Sequence, residues 1–358
     1  MRYLKKTNTR KADIKGGVIM KKAFTFILIV TIIFSILSIS NKVAFAEGLK
    51  LNAKGAILID AETGKVLFEQ DADISWYPAS MTKTMTLALA LEALERGKVK
   101  STDIVKASEN ACSYGGTQVW LDPRDAFTFE KMLIAIAVGS ANDASVAVAE
   151  FLSGTEENFV KMMNEKAKEL GANNTKFTNS HGLHDENHFT TPADMAKIAR
   201  YSLSFPKMLE LTSIKHYKFR EKPKELILNN TNKLLWRYPG TDGFKTGTTS
   251  QAQRNLVSTV MRDNLRLIGV VMGVDHPGGH FSESIKLLNW GFAQFKYEQF
   301  FSKGQVVASA KVSKGKSLAV PLIAAKNIGI VVSKDNIDPK IDSKVKIPSY
   351  VSAPIKKG

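Results

Sequence analysis

The run from Met81 to Arg96 constrains this chain more than any other segment. Met85, Leu87, Ala88, Leu89, Ala90 and Leu91 leave no polar stripe, so a helix here is apolar on nearly every face. Such a helix cannot lie on a surface and must be wrapped by other elements. It demands a large core. The chain can supply one, with 358 residues of which 44% are hydrophobic and 23% charged. A disordered tail, a collagen-like fibre and a coiled-coil rod are excluded on the same grounds. A single cysteine, Cys112, excludes a disulfide framework and a multi-cysteine metal site, and reads as a small packing residue.

The net charge of +16 suggests a polyanion partner until it is mapped along the chain. Residues 1–46 carry +8, residues 303–358 carry another +8, and the stretch between them is neutral. The basic balance belongs to the ends, so no nucleic-acid partner is expected. The N-terminal end reads as an export signal. Lys21 and Lys22 precede the apolar run Ala23–Ile39, and Ala44-Phe45-Ala46 gives a small-x-small cleavage pattern. Cleavage would leave Glu47 first. An uncleaved anchor is the other reading, though the apolar run is short for a span. Met20 would begin an ordinary signal by itself, so residues 1–19 could be an upstream start.

Beyond the signal, Ala56–Asp60 and Val66–Gln70 read as strands joined through Gly64. Thr128 caps a helix over Phe129–Ala137, and a further helix runs from about Asp143 to Leu152. Asn255–Val260 and Leu265–Val274 read as a second hairpin turning at Arg262-Asp263-Asn264. A closing helix follows, with Ile285, Leu288, Phe292 and Phe295 on one face. Strands at both ends with helices between them predict an α+β design: one antiparallel sheet flanked by helices. Three short β-prone runs follow Phe301: Val306–Val312, Ser317–Pro321 and Asn327–Val332. The expected division is a signal at 1–46, a catalytic domain at 47–297 and a partial, apparently truncated β-rich domain at 298–358. No apolar or amphipathic segment follows Asn327, so any membrane contact at this end is expected to be peripheral, through lysines.

Three short motifs carry chemistry. Ser80-Met81-Thr82-Lys83 opens the buried helix, where residues three apart share a face and a desolvated lysine can act as base for a serine. Ser140-Ala141-Asn142 stands between two helices, where a hydroxyl and a carboxamide can relay a proton and bind a peptide carbonyl. Lys245-Thr246-Gly247 precedes the second hairpin; it offers a cation, a hydroxyl and space for a ligand beside a strand. Singly these read as a loop repeat, a helix cap and a polar edge strand. In this order, at spacings of 60 and 105 residues, they form the Ser-x-x-Lys, Ser-x-Asn, Lys-Thr-Gly set of penicillin-binding proteins and class A β-lactamases.

The resemblance extends to Tyr77–Lys83, Ser140–Ala144, His181–His188, Asn230–Trp236 and Gly243–Gly247, which are similar to the low-molecular-mass penicillin-binding proteins, serine-type D-alanyl-D-alanine carboxypeptidases. It covers about residues 48–297, and the tail resembles the start of that family's small second domain. The resemblance implies that Ser80 is acylated, Lys83 is its base, and Ser140 and Asn142 assist proton transfer and hold the substrate backbone. It implies that Lys245, Thr246 and Thr248 face the terminal carboxylate, and that the N–H groups of Ser80 and Thr248 form the oxyanion hole. The implied substrate is the peptidoglycan stem pentapeptide, with β-lactams as covalent inhibitors and no metal or cofactor. The implied place of action is the outer face of a bacterial membrane or the cell wall. Lys233, Gln253-Arg254 and His280 depart from the family pattern, and His280 falls where an arginine near the carboxylate is expected. A class A β-lactamase would need a Glu about 35 residues past Ser140-Ala141-Asn142, where Asn174–Asn179 holds none. A weakly catalytic peptidoglycan-binding protein is the other alternative. His181, His184 and His188 could be read as a zinc cluster, but a polar loop is the simpler reading.

Overall fold

The computed structural model describes residues 48–335, 350–353 and 355. The expected signal at 1–46 lies outside them. Strands β1 (Gly55–Asp60) and β2 (Val66–Gln70) form the first hairpin. A 3-10 turn (Ala79–Thr82) leads into α1 (Lys83–Glu95), and the helical layer continues with α2 (Glu109–Ser113), α3 (Phe129–Ile134), α4 (Asn142–Ser153), α5 (Glu156–Glu169), α6 (Pro192–Ser202) and α7 (Pro206–Thr212). Two short antiparallel strand pairs decorate it, β3 (Ile104–Lys106) with β4 (Ala126–Thr128) and β5 (His216–Arg220) with β6 (Leu226–Asn229). After α8 (Leu234–Arg237) come β7 (Thr241–Thr249), β8 (Gln253–Arg262), β9 (Leu265–Val274) and α9 (Gly279–Gln294).

Five strands make one antiparallel sheet in the order β2-β1-β9-β8-β7. Its central strands β1 and β9 are almost wholly apolar because both of their faces are covered. Ile57, Ile59, Val257, Ile268, Val270 and Met272 join the core built by the helical layer. The alternate residues Leu58 and Leu267 pack on Gly291 of α9, where a Cβ would come within 2.4 Å of Leu58. The apolar helix α1 is sealed as its composition requires, with Lys83 to Leu91 all buried. Caps set the helix starts: Thr128, Thr155 and Thr191 accept from Lys131, Asn158 and Asp194 backbone N–H groups, and Pro192 occupies the first turn of α6. The β8–β9 turn reduces to Asp263 and Asn264, both left-handed (φ 48° and 63°), as a tight hairpin requires.

Three expectations are corrected. Ser80 and Met81 belong to a 3-10 turn, and the α-helix starts at Lys83. The helix capped by Thr128 ends at Ile134 and continues as a π-turn, Ala135–Gly139. The buried face of α9 is Glu283, Ser284, Leu287, Leu288 and Gly291, while Ile285 and Phe292 are only half-buried and Phe295 begins a strand. Small residues let α9 lie close on the sheet, and that close approach chooses its inward face. The C-terminal region is all β: β10 (Phe295–Phe301), β11 (Val306–Ser313), β12 (Ala319–Ile323), β13 (Ile328–Ser333) and β14 (Val351–Ser352), with β10 on β13 and β11 between β12 and β14. Among the described residues no helix is long and apolar enough to cross a membrane.

Candidate active site

Residues i and i+3 eclipse in a 3-10 turn. Ser80 and Lys83 therefore meet directly, with Lys83 Nζ 3.1 Å from Ser80 Oγ. The turn itself is strained, since Ala79 takes φ 48°, a left-handed conformation costing a non-glycine residue about 1–2 kcal/mol. Its surroundings hold it there. Thr82 Oγ1 donates to Ala79 O at 2.8 Å, and Asn255 of β8 donates to Tyr77 O at 2.9 Å. His188 Nε2 lies 2.8 Å from the same Thr82 hydroxyl, whose proton is already engaged, so Nε2 is the donor. Consistently, His188 Nδ1 accepts from Thr178 N, and burial pushes its pKa down to about 4.

Lys83 is wholly buried. Its Nζ donates to Asn142 Oδ1 at 2.7 Å and to His181 O at 2.6 Å. Both acceptors are uncharged. Burial therefore lowers the Lys83 pKa well below the usual lysine value, and the nearby charge of Lys245 lowers it further. With two acceptors taking two protons, the third direction of the amine faces Ser80 Oγ. A neutral Lys83 aims its lone pair there.

The second motif joins through the π-turn, which ends at Ser140 with φ 61° and starts α4 at Asn142. Ser140 and Asn142 are buried. Asn142 is committed at both ends, since its Nδ2 donates to Gly115 O at 2.8 Å while Oδ1 holds Lys83. It fixes Lys83 and the 115–117 loop together. Strand β7 closes the opposite side. Gly247 lies against the turn that carries Ser80, where a Cβ would sit 2.3 Å from Pro78 O. Lys245 is buried, with Nζ 3.5 Å from Thr231 Oγ1 and 3.3 Å from Thr246 O, and desolvation brings its pKa down to about 7. Thr246 Oγ1 donates to Thr231 Oγ1 at 2.7 Å, and Thr248 stands exposed at the strand's end. His280 is set apart in the first turn of α9. Its buried Nδ1 lacks a hydrogen-bond partner, and burial brings its pKa to about 4, so the ring is neutral near pH 7.

Motif reading left several participants unassigned: the His181 carbonyl, Thr231, Asn255 and His188. Backbone carbonyls carry no sequence signal, but the Asn230–Trp236 and His181–His188 segments stood out. Those histidines form no metal cluster, and among the described residues no three His, Cys, Asp or Glu side chains are grouped to hold one. His184 instead stacks edge-on against Tyr77, and His181 lies against Tyr114.

A serine beside a desolvated lysine, enclosed between a Ser-x-Asn turn and a Lys-Thr-Gly edge strand, defines a serine acyl-transfer enzyme of the penicillin-binding class. Residues 41–276 match the D-alanyl-D-alanine carboxypeptidase family, and residues 295–358 match the C-terminal domain of penicillin-binding protein 5. The chain belongs to this carboxypeptidase family, and its activity is serine-type D-Ala-D-Ala carboxypeptidase activity. It is 42% identical over 307 residues to D-alanyl-D-alanine carboxypeptidase DacF of Bacillus subtilis, covering 86% of this chain and 79% of that one. It is 32% identical over 320 residues to DacC of Escherichia coli, covering 87% and 79%. Among solved structures it is similar to penicillin binding protein 5 from Haemophilus influenzae, with TM-score 0.70 and 34% identity over 87% of this chain and 91% of that one. A peptidoglycan synthesis regulatory factor (PBP3) from Streptococcus pneumoniae superposes with TM-score 0.76 at 29% identity, covering 86% and 90%.

Proposed function

We propose that Ser80 is the acylated nucleophile and Lys83 its base, and that the substrate is the peptidoglycan stem pentapeptide. The observation that carries this is the three-way setting of Lys83 Nζ among Asn142 Oδ1, His181 O and Ser80 Oγ. Neutral Lys83 takes the Ser80 proton as Oγ adds to the carbonyl of the penultimate D-Ala. The oxyanion is held by the N–H groups of Ser80 and Thr248. The C–N bond then breaks, Ser140 relays the proton from Lys83 to the departing amine, Lys83 becomes neutral again, and terminal D-Ala leaves. Water adds to the resulting ester and regenerates Ser80. Thr246, Thr248 and Lys245 line the end of β7 where the terminal carboxylate belongs. Residues 1–46 act as the export signal, 47–297 as the catalytic domain and 298–358 as a β-rich C-terminal region. The enzyme works outside the cytoplasm, with peripheral contact to the membrane through its basic tail.

Incubation with benzylpenicillin, followed by mass spectrometry of the digested protein, tests the assignment. The adduct is expected on the peptide carrying Ser80; an adduct on any other residue refutes it.

The acyl-enzyme is also expected to persist for minutes. Rapid deacylation requires a carboxylate free to activate water, and the carboxylates packed behind the site are engaged. Glu156 accepts from Ser180 N, Ser180 Oγ and Tyr114 OH; Asp143 accepts from Val119 N, Leu121 N and Ala144 N. Asp194, which reaches the 174–179 segment, accepts from Asn174 N, Thr175 Oγ1 and Lys197. Continuous fast hydrolysis of penicillin would move the enzyme to the β-lactamase reading.

Acylation is expected to rise with pH as Lys83 loses its proton. Because the Lys245 charge depresses the Lys83 pKa, Lys245→Gln should let that pKa rise and move the acid limb to higher pH. A limb that stays in place or moves down shows that the two lysines are not coupled.

A further inference from the structure

A carboxypeptidase must hold a free carboxylate, and the cation that does so should keep its charge wherever the base is deprotonated. Lys245 and His280 are poor candidates. Buried Lys245 titrates near 7, and the His280 imidazole is neutral well below that. Arg254 is different. It is the direct cross-strand partner of Thr248, and such partners hold their side chains on one face, roughly 5 Å apart at Cβ. The residue is half-buried, and its charge is close enough to His280 to depress that ring's pKa. Nη1 donates to Asp275 O at 2.7 Å, in the turn that leads to His280. The Asp275 carboxylate faces His276 instead, at 3.0 Å. Among the described residues no carboxylate lies in ion-pair contact with Arg254. A permanently charged, forked donor thus stands without a counter-ion among the described residues, across the strand pair from Thr248 and within charge range of His280, whose buried Nδ1 lacks a partner.

We propose that Arg254, reaching across from β8, supplies the guanidinium that binds the substrate's terminal carboxylate in this enzyme. The proposal rests on the Ser80 site described above and moves the permanent charge from the start of α9 to the neighbouring strand. His280 then contributes a neutral imidazole, and Lys245 acts mainly on the charge state of Lys83.

The test compares an N-acylated L-Lys-D-Ala-D-Ala peptide with the same peptide ending in a carboxamide. Arg254→Ala is expected to lower kcat/KM for the free carboxylate about 10- to 100-fold, the size of a charge-assisted bidentate contact. Most of the loss should fall in KM, with turnover of the carboxamide changed by no more than about twofold. Arg254→Lys should retain part of the activity, since the charge remains and the fork is lost. Adding His280→Arg to Arg254→Ala should recover at least about tenfold, because a guanidinium is returned to the same end of the sheet. Equal losses on both peptides would mean that Arg254 only ties β8 to Asp275, and would overturn the proposal. So would no loss, or no recovery in the double variant. Failure of the underlying reading looks different: Ser80→Ala would still turn over the peptide, or the wild-type enzyme would itself ignore the terminal carboxylate.

Discussion

Ser80→Ala is expected to abolish the penicillin adduct and to lower D-Ala release by about six orders of magnitude, as loss of a hydroxyl nucleophile does elsewhere. Lys83→Met, which keeps the length of the side chain but removes the amine, should slow acylation about 10²- to 10⁴-fold. The two losses should not add. Once Ser80 is gone Lys83 has no proton to take, so the double variant should resemble Ser80→Ala alone. Lys83 is wholly buried, and methionine fills its channel without leaving a buried charge. The fold should therefore survive, and thermal melting of each variant checks that it does. The measurement is the rate of covalent labelling by benzylpenicillin across pH. A Lys83→Met enzyme that acylates at the wild-type rate would show that the proton leaves Ser80 by another route.

The second large effect is expected at Gly182. It has φ 87°, a backbone that L side chains rarely adopt, and a Cβ there would sit 1.9 Å from Ala79 O and 2.9 Å from Thr82 Oγ1. Gly182→Ala therefore meets two costs: about 1–2 kcal/mol for the left-handed backbone and about 1–3 kcal/mol for overpacking. The obstructing atom is the carbonyl next to the nucleophile. Relaxation must move Ala79 and Ser80, or pull the neighbouring His181 O away from Lys83. Acylation should fall at least about 100-fold, since small misplacements at the reacting centre are costly. The melting temperature should drop by roughly 4–20 °C, from about 2–4 °C per kcal/mol in a domain of this size. A Gly182→Ala enzyme with wild-type stability and labelling rate would show that the nucleophile turn does not depend on this contact.

Much of this was legible in the chain. Alternation is masked in β1 and β9, but runs rich in Val, Ile and Leu between turn residues still marked them as strands, and the structure shows why: nearly every residue of both is buried. The apolar all-round character of α1 announced a sealed core helix, and Thr128 marked the start of α3, whereas the Thr155 and Thr191 caps of α5 and α6 were seen only in the structure. Ser80 and Lys83 were pairable by spacing alone, because three residues bring two side chains to one face whether the turn is α or 3-10. The π-turn before Ser140 was hidden, since α- and π-turns share composition and differ by one residue in hydrogen-bond register. The inward face of α9 was misjudged from its large side chains, because Ser284 and Gly291 give the sheet closer access than Phe292 does.

By itself, then, the sequence determined the two sheet hairpins and the main buried helix, the α+β class and the identity of the three motifs, since each depends on periodicity, turn chemistry or short spacing. Only the tertiary structure decided what those residues are chemically. Lys83 becomes a candidate base because His181 O, 98 residues away, and Asn142, 59 residues away, surround its buried amine with uncharged acceptors. His280 becomes a neutral ring and Lys245 a weak cation through burial. Arg254 acquires its candidate role only because the β7–β8 register sets it opposite Thr248. Charge state follows from desolvation and from partners that distant segments bring together, and neither is a property of any residue in the chain taken alone.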